Sequence, residues 1–210
     1  MLEDIRSGKE LEQKVKSIFE QSNLSFKEQP SLTPFNLRFD FLVSNQSNQL
    51  FVVEVSKRNS NEDIQRLCFR SVICKEFNGD RIKTVLVVPS FNGSWSSLKF
   101  IGLLVKFFDL FLFEEDLELL PDMLNSGNKE LLFSIVKNKL RLVQPDFGKI
   151  LDLFQNRRFI ELKEMSSLTE LRLSRIKDLV KFNPFNLQTL GLVECWGNTC
   201  LLYTSPSPRD

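Results

Sequence analysis

The chain has no histidine in 210 residues. That absence removes Ser-His-Asp and Cys-His catalysis, zinc sites built on histidine pairs and nucleases that use a histidine as base. Acid–base or metal chemistry must come from Asp, Glu and Lys. Cysteine is sparse: Cys68, Cys74, Cys195 and Cys200 include no Cys-x-x-Cys spacing, so a thiolate zinc site is not expected. The four read as reduced thiols of a cytoplasmic protein. Neither sign of charge dominates. Lys and Arg number 28 against 27 Asp and Glu, a net charge of +1, so nucleic-acid binding would have to rest on local patches. The most apolar run, residues 100–113, is interrupted by Lys106 and Asp109 and is too short and too charged to span a membrane. The amino terminus, with Glu3, Asp4 and Arg6, does not read as a signal peptide.

Tyrosine is almost missing. The single tyrosine, Tyr203, stands against 20 phenylalanines. It lies in residues 200–210, which run from Cys200, Leu201 and Leu202 to Pro208, Arg209 and Asp210 and resemble the translation of a transposase-type sequencing adapter. These residues are therefore set aside as an artefactual tail, and the natural chain is expected to continue differently beyond Thr199.

What is present has the composition of an ordinary globular protein, long enough for one large domain or two small ones. Leu11, Val15, Ile18 and Phe19 make one apolar stripe and predict a helix over 3–21. Residues 24–29 suit a short strand, and Pro30 and Pro34 mark a loop. Leu37, Phe39, Phe41 and Val43 alternate with Arg38, Asp40 and Leu42, predicting a strand over 36–44. Residues 50–56 follow after a polar turn and are apolar except for Glu54 and the terminal Ser56, as in a central strand buried on both faces. The two should form a hairpin. A helix capped by Asn59 or Ser60 comes next, with Ile64, Leu67, Cys68, Val72 and Ile73 on its apolar face. It ends at Asn78, Gly79 and Asp80. A strand over 84–89, a helix over 96–108 and a strand over 110–113 complete the order α-β-β-β-α-β-α-β.

Two acids in this pattern call for an explanation. An Asp on an alternating strand is ordinarily a solvated surface residue. A carboxylate among buried valines is different, because its burial costs several kcal/mol unless it is paired or bound to metal. Opposed residues of a hairpin face each other across about 5 Å. Carboxylates held that close can bind Mg²⁺, or Mn²⁺, which offsets phosphate charge and activates water. A nearby cation would orient that water or stabilise developing charge.

The elements and acids together resemble the PD-(D/E)XK nuclease superfamily, which runs helix, three strands, helix, strand, with an acid on the second strand and Asp/Glu-x-Lys on the third. Arg38, Phe39 and Asp40 match the first element; Val53, Glu54, Val55 and Ser56 resemble the second. Glu12, within Gly8, Lys9, Glu10 and Leu11, resembles the helix-borne Glu. The resemblance covers residues 3–113 and implies a restriction endonuclease-like α/β fold, a mixed sheet flanked by helices, and a Mg²⁺-dependent DNA endonuclease. Asp40 and Glu54 would be the metal ligands, with Glu12 assisting. The lysine position departs from the pattern: Ser56 fills it, and Lys57 comes one residue later, pointing to the other face unless a bulge turns it inward. The alternatives are a cation from the following helix (Arg66, Arg70 or Lys75) or an inactive nuclease-like module that binds DNA. Gln65, Arg66 and Arg70 are candidates to contact the substrate. Ser56 has no base partner to make it a nucleophile.

Residues 114–199 read as mostly helical, with helices near 117–124, 129–137, 146–156, 161–165 and 168–182. The span 146–199 resembles a winged helix-turn-helix. Asn183 and Pro184 would begin a helix, and Trp196, Gly197 and Asn198 would tip a wing. In that family a recognition helix enters the major groove and the wing meets the backbone. Arg172, Arg175, Lys177 and Lys181 could meet phosphates, although a solvated helix face explains them as well. DNA is the expected partner, and a homodimer is left open.

Overall fold

The computed structural model describes residues 2–32, 37–56, 61–90, 95–126, 129–155, 157, 159–182, 186–190 and 192–202. By spatial contact the chain forms two compact units, residues 1–91 with 107–132 and residues 92–106 with 133–210. The division is not a single cut in the chain.

The first unit is built on helix α1 (Leu2–Gln21) and strands β1 (Ser25–Glu28), β2 (Phe41–Ser44) and β3 (Leu50–Val55). Helix α2 (Asn61–Asn78) and β4 (Ile82–Val88) follow; α3 (Trp95–Phe107), which except for Phe107 belongs to the second unit, precedes β5 (Leu110–Phe113) in the chain. A 3-10 turn (Glu114–Leu119) and α4 (Leu120–Ser126) come after it. The sheet order is β1-β2-β3-β4-β5. The first three strands form an antiparallel meander; β4 and β5 continue it in parallel. Connection length explains the change. Asn45 closes the β2–β3 turn by accepting the Ser47 and Gln49 N–H groups, whereas α2 intervenes before β4 and α3 before β5. The parallel strands are buried along almost their whole length, as their apolar runs require. Leu11, Val15 and Phe19 of α1 are buried, and the rings of Phe19, Phe26 and Phe41 lie 5.4–6.1 Å apart. Gly79, at φ +57°, ends α2 in the left-handed region that a side chain would strain.

The second unit contains most of α5 (Lys129–Val143), then α6 (Pro145–Asp152), β6 (Phe159–Glu161), α7 (Leu162–Thr169) and α8 (Leu173–Lys177). A π-helical turn (Asp178–Phe182) prolongs α8, and β7 (Val193–Trp196) and β8 (Thr199–Leu202) end the described chain. The three strands pair antiparallel in the order β6-β8-β7.

Several expectations need correction. The strand expected over 36–44 is regular only from Phe41; Asp40 sits in a bend, where its carbonyl accepts the Gln29 N–H. The single helix expected over 168–182 is two, because Glu170 adopts a left-handed conformation at φ 59° and breaks it. The helix expected after Pro184 is absent from residues 186–190, where Asn186 and Thr189 exchange side-chain bonds in a turn. Cys195 and Cys200 are not reduced thiols: they face each other across β7 and β8 and form a disulfide, while Cys68 and Cys74 are free and buried. Residues 200–202, set aside as part of the tail, belong to β8. Lys57, the caps Asn59 and Ser60, and Pro34, Asn183 and Pro184 lie outside the described residues. Among the described residues, no helix is long and apolar enough to cross a membrane.

Candidate metal centre

The β2–β3 register sets the two acids side by side. Phe41 stands opposite Val53, so the next pair outward is Asp40 and Glu54, which share one face of the hairpin. The bend at Asp40 does not carry its carboxylate away. Asp40 Oδ2 accepts the Val55 N–H at 2.7 Å, one residue past Glu54. Glu54 itself is 4% exposed and stands opposite Leu86 of β4.

Helix α2 brings a cation to this pair. Arg70 donates from Nε to Glu54 Oε1 at 2.5 Å, and its Nη2 donates to the Arg38 carbonyl. Its guanidinium lies 4.9 Å from the centroid of the Phe39 ring. The consecutive residues Arg38, Phe39 and Asp40 therefore supply an acceptor, an aromatic face and a carboxylate to one small region. Burial pushes the Glu54 carboxyl up to about 7, the Asp40 carboxylate pushes in the same direction, and Arg70 opposes both.

Ser56, in the expected lysine slot, is buried, and its N–H donates to the Val87 carbonyl at 2.8 Å. The other helix-borne candidates are placed elsewhere: Arg66 is exposed and pairs with Asp63 at 3.5 Å, and Lys75 pairs with Asp109 at 3.3 Å. Gln65 is exposed on α2, and Glu12 is half-buried on α1. Among the described residues, no three Asp, Glu or Cys side chains gather so as to hold a metal ion, so Glu12 does not complete a three-acid set with Asp40 and Glu54.

The sequence matches no protein-family model and no curated protein.

Asp40 and Glu54 are the residues that could hold a divalent cation; Mg²⁺ commonly takes one or two carboxylates and completes its shell with water. Val55 bonds one oxygen of Asp40 and Arg70 one oxygen of Glu54, and the two carboxyl groups are also hydrogen-bonded to each other.

In the second unit, Arg175 donates to Asp146 Oδ2 from Nε at 3.2 Å and from Nη2 at 3.1 Å, tying α8 to α6. Lys177 is half-buried at the end of α8 and Arg172 is exposed just before it. Lys181 donates to the Gly197 carbonyl at the β7–β8 turn. The sequence reading missed the support that Phe39 and the Arg38 carbonyl give Arg70. Its signal was the unbroken run Arg38, Phe39, Asp40, read there only for its acid.

Proposed function

We propose that the first unit is a metal-dependent DNA endonuclease of the PD-(D/E)XK type, with Arg70 standing in for the motif lysine. The observation that carries this reading is the 2.5 Å bond from Arg70 to Glu54, beside Asp40, at a position whose own lysine slot holds Ser56. The strand order β1-β2-β3-β4, antiparallel and then parallel, supports the same reading.

Asp40 and Glu54 would hold Mg²⁺. Bound there, the ion would supply Lewis-acid charge neutralisation and a more acidic water. Arg70 partly offsets burial and the neighbouring Asp40, both of which favour the protonated form of Glu54. The hydrogen bond from Val55 fixes the Asp40 carboxylate at the hairpin end. In the second unit, the succession α6, β6, α7, α8, β7, β8 with sheet order β6-β8-β7 supports a winged-helix, DNA-binding reading, in which α8 rather than the segment after Pro184 is the recognition helix.

The test is cleavage of supercoiled plasmid with Mg²⁺ or Mn²⁺. Asp40→Ala and Glu54→Ala should each lower the rate by about 100-fold or more, and unchanged rates in both would remove the assignment. A second reading, a nuclease-like module that binds DNA without cutting it, draws on Arg70's three engagements, with Glu54, the Arg38 carbonyl and Phe39. DNA binding with no Glu54-dependent Mg²⁺ uptake in calorimetry would select it.

A further inference from the structure

Arg70 is followed by Ser71, and from Ser71 a closed polar circuit runs through the junction of α2, β4 and the start of β5. Ser71 Oγ lies 2.7 Å from the Phe107 carbonyl and 3.0 Å from Thr84 Oγ1. Thr84 donates to Asp109 Oδ2 twice, from its hydroxyl at 3.0 Å and from its N–H at 2.8 Å. Lys75 returns the circuit to α2, one turn beyond Ser71, reaching the same Oδ2 at 3.3 Å and the Phe107 carbonyl at 3.1 Å.

Proton counting shows why both Lys75 and Asp109 matter. Ser71 has one proton and two acceptors, and both it and Thr84 are buried. At 2.7 Å the Ser71 proton goes to the Phe107 carbonyl, whose second lone pair accepts from Lys75. The Thr84 hydroxyl then has one proton for two acceptors at 3.0 Å, Ser71 Oγ and Asp109 Oδ2, while the Thr84 N–H is given to Asp109 alone. Removing Asp109 leaves that buried N–H without its acceptor and takes away the carboxylate that holds Lys75.

Apart from a bond from Asn78 Nδ2 to the Leu32 carbonyl at 3.4 Å, the rest of the α2 interface is mostly apolar. Ile64, Leu67, Cys68 and Cys74 are buried, but apolar contact alone tolerates a small slide or rotation of a helix. One residue of slippage moves a side chain by about 1.5 Å along the axis and about 100° around it. The Arg70–Glu54 bond has no such latitude.

We propose that Asp109 is a positioning residue which, through Ser71 and Lys75, fixes α2 on the sheet and so delivers Arg70 to Glu54. This deepens, and rests on, the reading of Arg70 as the cation of the site. Asp109 acts through the helix and has no part in the chemistry itself.

The experiment follows the Arg70 Nε–H by nitrogen NMR in the full chain, its resonance assigned by its loss in Arg70→Lys. In Asp109→Ala and in Ser71→Ala, Nε–H exchange should quicken by about tenfold or more as the bond to Glu54 opens more often. Lys75→Arg retains a donor for Asp109 and should stay near wild type. If Asp109→Ala does not fold, Ser71→Ala, the smaller deletion, decides by the same criterion. Folded variants that lose stability while Arg70 exchange stays unchanged would overturn the proposal, because the circuit would then be structural only. The readout needs no cleavage. A wild type that never cuts DNA, but whose Arg70 is released by Asp109→Ala, would remove the nuclease reading and uphold the positioning role.

Discussion

Two buried polar assemblies sit on the same sheet and are built on opposite principles. Around Asp109 one carboxylate oxygen receives the Thr84 N–H, the Thr84 hydroxyl and the Lys75 ammonium. Around Glu54 two carboxylates share one guanidinium and one backbone N–H, and Glu54 is pushed up to about 7. The first is the ordinary remedy for burying a charge. The second, among the described residues, has one guanidinium for two carboxyl groups. A fold organised only for stability would close both. Unresolved charge that a ligand could neutralise is a feature of working sites.

The sharpest way to break this contrast is to remove the shared cation. Arg70→Ala leaves Asp40 and Glu54 adjacent and uncompensated, and should cost about 3–5 kcal/mol at neutral pH. The loss should shrink as pH falls through about 7, where Glu54 takes up a proton, and be small at pH 5, where the repulsion is gone. Urea unfolding at the two pH values measures it. A loss below about 1 kcal/mol, the size of a surface ion pair, would mean that the Glu54 site is no more demanding than the exterior.

The next effect is the titration of Glu54. The folded chain holds this proton more tightly than the unfolded chain does, since burial raises the carboxyl from 4.5 to about 7. The protonated group therefore stabilises the fold fully below about pH 4.5, and that stabilisation is lost as pH rises through about 7, by about 3 kcal/mol. Glu54→Gln, which cannot ionise, should flatten this part of the stability–pH curve. Added Mg²⁺ at pH 8 should restore stability to wild type and not to Glu54→Gln. A wild-type curve that is flat between these limits would show that Glu54 is already fully compensated.

The sequence carried the first unit well because its signals are local. Apolar runs marked β3, β4 and β5, Asn78 and Gly79 ended α2, and the expected hairpin put Asp40 and Glu54 on its two arms. The anomaly of Glu54 among valines was visible without coordinates, because desolvation does not depend on knowing the partner. The identity of the cation was not visible. Arg66, Arg70 and Lys75 are all near-helical steps apart, and only the rotation of α2 on the sheet chooses Arg70 for Glu54 and Lys75 for Asp109. The second unit was harder to read for a related reason. Its three strands are 3 to 4 residues long, too short for alternation to register, and β6 finds its partner β8 about 40 residues later. The break at Glu170 depends on a left-handed residue that is not glycine, which composition does not announce.

The smallest effect separates the two arginines of α2. Arg66 lies one turn before Arg70, but its side chain is 57% exposed and its partner Asp63 is three residues away at 3.5 Å. Arg66→Ala should change stability by less than about 0.5 kcal/mol and leave the Arg70–Glu54 bond intact. If α2 borders bound DNA, the same substitution should weaken binding evenly across sequences and reduce the slope of log affinity against log salt by about one unit. Arg70→Ala would act differently, lowering cleavage and stability together. Fluorescence anisotropy over a salt series, with calcium replacing magnesium to hold back cutting, measures the slope. An unchanged slope would place the DNA path away from α2. Equal stability losses at Arg66 and Arg70 would erase the distinction between a guanidinium that faces solvent and one that pairs with a buried acid.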